Sequence, residues 1–68
     1  MEIFAKRLKE LRLEKKLSLR KLATEFGLSH TTIEDYENNV CQPSMEMLLK
    51  ISEYFGVTIG YLYGKEDY

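Results

Sequence analysis

The 68-residue chain predicts an all-α fold of five short helices, and three observations carry that prediction. Apolar residues recur at helical spacing along the chain. A hydroxyl residue stands before each of four apolar stripes, at Ser18, Ser29, Ser44 and Thr58. Finally, the run LSLRKLATEFGLSHTTIEDYE, from Leu17 to Glu37, divides two amphipathic segments with nothing longer than a Gly27-Leu28-Ser29 turn. Strand signals are absent, because the β-branched residues are scattered and no run alternates apolar with polar over a strand's length.

Phe4, Leu8 and Leu11 mark the inner stripe of a first helix running from about Glu2 to Lys15, and Leu17 closes the core where the chain enters the next. In the second helix Leu19, Leu22, Ala23 and Phe26 fall at i, i+3, i+4 and i+7, hence on one face. Ser18 is its N-cap, and Lys21 at the third helical position rules out a reciprocal capping box. Gly27 suits the left-handed residue that ends this helix, and Ser29 caps the third. Ala23 is small enough to let two helices cross closely over so short a turn.

Ile33 and Tyr36 face inward on the third helix, and Asn38-Asn39 supplies its stop, since Asn tolerates the left-handed conformation. Pro43 biases Gln42 out of helix, and Ser44 caps a fourth helix with the expected stripe Met45, Leu48, Ile51, Ser52 and Phe55. Gly56 ends it. Thr58 caps a last short helix, whose Ile59 and Leu62 return to the core before Gly64.

Length and composition bound the remaining readings. A chain this short is read as one domain over residues 1–68, near the lower limit of independent folding, with 44% hydrophobic residues to bury. One Cys excludes an internal disulfide and suits a reducing compartment. MEIFAKRLKEL mixes charge with apolar residues and is no signal peptide, nor does a later run approach a membrane span. The expected location is therefore cytoplasmic.

Charge is unevenly placed. Residues 1–21 hold eight basic and three acidic side chains, net +5, whereas residues 22–68 hold two basic and eight acidic, net −6. Phosphate attraction is local, so a chain of net charge −1 can still bind DNA where its cations cluster. Arg20 and Lys21 stand at the start of the second helix, whose dipole also favours an anion. Lys6, Arg7 and Lys9 on the first helix have two readings, a partial DNA face and the plain solvated side of an amphipathic helix.

From roughly Leu8 to Gly64 the chain resembles the phage-repressor helix-turn-helix family, the Cro and lambda-repressor-like domains also called the xenobiotic-response-element family. The resemblance rests on RLKELR at Arg7–Arg12, Leu17-Ser18, KLATEFGLS at Lys21–Ser29, TTIEDYENN at Thr31–Asn39, Pro43-Ser44 and LLKISEYFGVTIGYLYG at Leu48–Gly64. It implies a compact five-helix lambda-repressor-like domain, with a helix-turn-helix unit at about residues 18–38 and a third helix that enters the major groove. It also implies that Ser29, His30, Thr31 and Asp35 read base edges, with Thr32 nearer the backbone and Ser18, Arg20, Lys21 and Asn38 completing the DNA contacts.

The chemistry of these residues suits such roles. Hydroxyls donate or accept, a Thr methyl meets the thymine methyl, and Asp accepts from the cytosine amino group. His30 has two further readings, as a phosphate donor and as an ordinary solvated His near a helix start. The resemblance pairs Arg12 with Glu37 as a partly buried ion pair whose role is to set the angle between helices. It also implies a homodimer through the C-terminal region, where Tyr54, Tyr61, Leu62, Tyr63 and Tyr68 cluster; Tyr61 and Tyr63 serve equally well as the edge of a small core.

Three departures from the family pattern stand out. Leu19 replaces the Gln that relatives use to clamp a phosphate, Asn39-Val40-Cys41-Gln42 lacks the usual Gly and cation, and Glu34-Asp35 brings two carboxylates toward the groove. Leu13, Leu19 and Val40 are apolar where the family is usually polar, which marks them as a protein contact or as isolated surface residues.

The function expected is a sequence-specific transcriptional regulator of phage, mobile-element or bacterial type, a nucleoid-associated repressor that binds a short palindrome as a dimer. The alternative is a protein-interaction module on the same fold with weak or no DNA binding. No catalytic pairing, phosphate loop or chelating spacing points to an enzyme, a metal or another cofactor, and Cys41 reads as a bystander thiol.

Overall fold

A computed structural model describes residues 2–66. They form α1 (Glu2–Glu14), α2 (Leu19–Phe26), α3 (His30–Glu37), α4 (Met45–Phe55) and α5 (Ile59–Leu62), with no strand among the described residues. Tyr68 lies outside them.

Every helix after α1 starts on the hydroxyl its sequence offers. Ser18, Ser29, Ser44 and Thr58 have extended backbone, and each side chain accepts from the amide three residues on, at 3.0, 3.3, 3.2 and 3.0 Å. Each bond satisfies an amide left without a helical partner and is worth about 1 kcal/mol.

The first four helices stop in the same way. A left-handed residue stands shortly after each helix, and the next amide reaches back to a carbonyl five residues earlier: Leu17 to Arg12, Leu28 to Ala23, Val40 to Asp35 and Val57 to Ser52, all between 2.8 and 3.1 Å. Gly27 and Gly56 adopt that conformation without a Cβ clash, both at φ 68°. Lys16 at φ 57° and Asn39 at φ 60° adopt it with a side chain. Thus α1 ends at Glu14 rather than Lys15, and the left-handed stop of α3 is Asn39, with Asn38 as the cap itself.

The apolar stripes converge on one core. Phe4, Leu8 and Leu11 of α1 meet Leu22 and Ala23 of α2, Ile33 and Tyr36 of α3, Leu48 and Ile51 of α4, and Leu62 of α5. A leucine, isoleucine or phenylalanine buried this completely contributes about 1.5–3 kcal/mol of transfer free energy. Helix α3 packs against both α1 and α2, while α5 packs against α1 and α4. Edge-to-face contact between Phe4 and Tyr36, with centroids 6.1 Å apart, ties α1 to α3.

Three sequence expectations require correction. Met45 is 60% exposed, because it is the first residue after the Ser44 cap; Met47 packs on the core instead, at i−4 from Ile51. Leu62 is fully buried, so its side chain belongs to the core and offers nothing to a dimer partner. Leu19 packs against the core and is not a free surface contact, whereas Leu13 and Val40 are exposed.

Candidate nucleic-acid interface

The tight turn holds α2 and α3 against each other and leaves the start of each helix accessible. Ser18, Arg20 and Lys21 are exposed around the first turn of α2. Ser29 and Thr31 are exposed and His30 half-buried at the start of α3. Two cations and two hydroxyl-bearing helix starts are therefore open to solvent on the pair.

Several of these hydroxyls are committed internally. Ser18 Oγ accepts from the Lys21 amide, and Ser29 Oγ accepts from the Thr32 amide while lying 3.0 Å from Thr32 Oγ1. The Ser29 and Thr32 hydroxyls thereby fix each other's rotamers. Thr31 lies between them in sequence and is exposed, and its hydroxyl makes no hydrogen bond among the described residues.

Along α3 the outward ridge is Thr31, Glu34 and Asn38, at i, i+3 and i+7, all exposed. Asp35 is half-buried, rotated from that ridge, as is Thr32. Glu34 is therefore the acid in line with Thr31. It was absent from the expected reading residues, although its i+3 spacing from Thr31 was available as a signal.

What holds α3 in place is the buried pair behind it. Arg12 Nε donates to Glu37 Oε2 at 2.6 Å and Arg12 Nη2 to Glu37 Oε1 at 3.1 Å, a bidentate contact. Arg12 Nη1 donates to the Leu17 carbonyl at 2.7 Å. With side chains only 10% and 5% exposed, the pair is largely removed from water, and the guanidinium is satisfied on three nitrogens. It links the end of α1, the entry to α2 and the end of α3. Tyr36, beside it in sequence, ionises above its ordinary value because it is buried and, secondarily, because of Cys41 nearby.

The basic residues of α1 divide by role. Lys6 and Lys9 are exposed, but Arg7 is half-buried and turned toward α5. Its Nη1 donates to the carbonyls of Tyr61 and Glu66, and its guanidinium sits 4.2 Å from the Tyr61 ring centroid. Neither of its sequence readings anticipated this, since the partners are more than fifty positions away.

A helix-turn-helix family model matches residues 8–62, most of the chain and all of the α2–α3 unit. The chain belongs to the helix-turn-helix family. Within this family it is 38% identical over 64 residues to the HTH-type transcriptional activator BcrR of Enterococcus faecalis, covering 94% of this chain and 31% of that protein. It is 31% identical over 62 residues to the HTH-type transcriptional regulator ImmR of Bacillus subtilis, covering 91% and 49%. Similarity to the uncharacterised HTH-type regulator YobD of the same species is 26% over 65 residues, covering 96% and 58%. The chain thus spans between 31% and 58% of the length of these relatives.

The expected dimer residues do not share one environment in this helix-turn-helix domain. Tyr54 stacks edge-on to Phe26 and Phe55, Tyr61 lies under Arg7, and Leu62 is in the core. Tyr63 is exposed and lines a groove of about 270 Å3 with Glu2, Ile3 and Phe4. No helix among the described residues is long and apolar enough to cross a membrane.

Proposed function

We propose that this chain is a sequence-specific DNA-binding transcriptional regulator that lays α3 in the major groove. The observation that carries the reading is the accessible start of α3, with Ser29, His30 and Thr31, beside the Arg20 and Lys21 cations that open α2. In this arrangement Arg20 and Lys21 meet phosphates, Thr31 reaches a base edge, and the Ser29–Thr32 hydroxyl pair stiffens the reading end of α3. Asp35 and Asn38 lie farther along the same helix, within the span of a groove crossing. The names of BcrR and ImmR, as a transcriptional activator and a transcriptional regulator, support the class.

The finer reading is a repressor acting in the bacterial cytoplasm on a short palindrome as a homodimer. Occupying an operator is enough to repress and requires no further surface. Two copies place their α3 helices in successive major grooves about 34 Å apart, with Tyr63 and its neighbours at Ile3 supplying the exposed apolar contact. A reporter with the operator placed over or upstream of the promoter separates repression from activation. Sedimentation with and without duplex tests the dimer, and monomer alone in both conditions excludes it.

A specific observation favours a second reading. Glu34 stands on the outward ridge of α3 beside Thr31, and a carboxylate there repels phosphate, as on an interaction module that has given up DNA. Binding to operator-like and random duplexes across a salt series decides between the two. The regulator shows a steep negative slope of log affinity against log salt, and Arg20→Ala lowers that slope by about one while weakening all sequences alike. No binding at low salt overturns the regulator reading.

A further inference from the structure

After α5, residues 63–66 turn back across both α5 and α1. The Lys65 amide donates to the Gly60 carbonyl at 2.8 Å and the Gly64 amide to the Tyr61 carbonyl at 3.1 Å, so the turn is closed onto α5 by its own main chain. It also lies directly on α1: a Cβ on Gly64 would stand 2.7 Å from Ile3 Cδ1 and 3.0 Å from Ile3 Cγ2, closer than a side chain tolerates. Tyr63, the first residue of the turn, forms one wall of the groove of about 270 Å3 that Glu2, Ile3 and Phe4 complete.

Two side chains fasten this turn, and they use different atoms. The Glu66 carboxylate lies over α5, where Oε1 accepts from Thr58 Oγ1 at 2.9 Å and Oε2 fills the space that a Cβ on Gly60 would need, 2.5 Å away. No ion pair joins Arg7 to that carboxylate among the described residues. Arg7 Nη1 donates instead to the main-chain carbonyls of Tyr61 and Glu66, while the guanidinium faces the Tyr61 ring. A single guanidinium nitrogen on α1 thus grips the chain at α5 and again at the end of the turn. Helix α5 has four residues, too few to persist on its own hydrogen bonds, and depends on such contacts.

We propose that residues 63–66 form a strap that opens and closes without unfolding the rest of the domain, and that Arg7 is its latch, gripping the main chain and not the Glu66 side chain. Opening breaks the Arg7 bonds and the two turn amides but leaves the buried stripes of α1 to α4 in place. Only the closed strap holds Tyr63 beside Ile3. Arg7 is therefore a positioning residue for the exposed contact assigned above to a second copy; that use rests on the homodimer reading, whereas the strap does not.

Amide hydrogen exchange of the full chain in a series of low urea concentrations tests this, because the Gly64 and Lys65 amides are bonded in the closed strap. In the wild type these two amides are expected to exchange faster than those of buried Leu22 and Ile51 and to ignore urea, as local opening does. Equal rates with equal urea dependence mean that the turn opens only with the whole domain, and overturn the strap without any variant. Arg7→Met keeps an unbranched stem and removes the donors, and speeds Gly64 and Lys65 exchange about tenfold, as loss of a hydrogen bond to a charged group does; unchanged rates overturn the latch. Arg7→Lys recovers part of the protection. Glu66→Gln leaves both rates within about twofold of wild type, since an amide oxygen still accepts from Thr58, and an effect as large as that of Arg7→Met overturns the main-chain grip. Exchange needs no pairing and decides the strap by itself. Sedimentation of Arg7→Met then shows weakened self-association, and unchanged self-association with an open strap overturns the positioning role.

Discussion

Helices α2 and α3 are built from one local recipe and put to different uses. Each has eight residues, a serine cap that accepts from the third amide, and a left-handed residue that closes its end. Helix α2 opens on two exposed cations and carries Leu22 and Ala23 into the core; α3 opens on hydroxyls and carries three acids, the last of which, Glu37, is tied to Arg12. Local codes of capping and turning set where a helix lies in sequence. Its task depends on what surrounds its two ends. In α2 an end bearing two cations faces solvent, whereas α3 has its N-terminal end in solvent and the Glu37 side chain near its C-terminal end buried against Arg12 of α1.

The largest predicted effect breaks that anchor. Glu37→Gln leaves the Arg12 guanidinium buried without its counter-charge and costs about 3–5 kcal/mol, read as a fall in melting temperature of about 4–8 °C per kcal/mol for a domain of this size. An unchanged melting temperature refutes an energetic role for the pair. Joint replacement by Arg12→Met and Glu37→Leu recovers most of the loss, because the desolvation of two charges is then no longer required.

Next in size is the reading end of α3. Asp35→Ala changes preference at one base position by about 1–3 kcal/mol, measured by competition among duplexes that differ singly. Equal losses on every duplex reject direct readout by Asp35. Glu34→Gln, on the outward ridge, raises affinity for all duplexes by removing a repulsive charge, and by more at low salt than at high.

The closing residues test whether the two turns are equivalent. Gly27→Ala meets open space, so its cost is purely conformational, about 1–2 kcal/mol. Asn39→Gly relieves the same conformation at the end of α3 but gives up the residue's own contact, and shifts stability by less than about 1 kcal/mol. Chemical denaturation resolves both, and a neutral Gly27→Ala sinks the assignment of strain to this turn.

The smallest effect is alkaline. Tyr36 ionises above 10.0 in the folded chain, so the native state holds its proton where the unfolded chain has lost it. This contribution is whole below pH 10.0 and is lost as pH rises through the folded value. Tyr36→Phe therefore flattens part of the stability decline above pH 10.0, observed in denaturation midpoints; an unaltered decline contradicts it.

Caps at Ser18, Ser29, Ser44 and Thr58, the Gly27 turn and the stripe through Leu22 and Ile33 were all legible in the chain, because each rests on partners within a few residues. The same local chemistry misled at Met45, where helical spacing allowed two neighbouring faces and only packing against the core selected Met47. Lys16 gave no signal as a left-handed stop, since nothing in a lysine favours that conformation and the surrounding contacts impose it. The Arg12–Glu37 pair came from the family resemblance, and spacing along the chain offered no warrant for joining them.

Five helices and their order followed from residue type and spacing, because hydrogen bonds and caps act over three to five positions. Tertiary structure alone turned Arg7 inward onto Tyr61 and buried Leu62, a residue expected to pair two copies, in the core. It also placed Glu25 and Phe26 across from Tyr54. Each of those meetings joins residues far apart in sequence, and only the packing of five apolar stripes into one core brings them within contact.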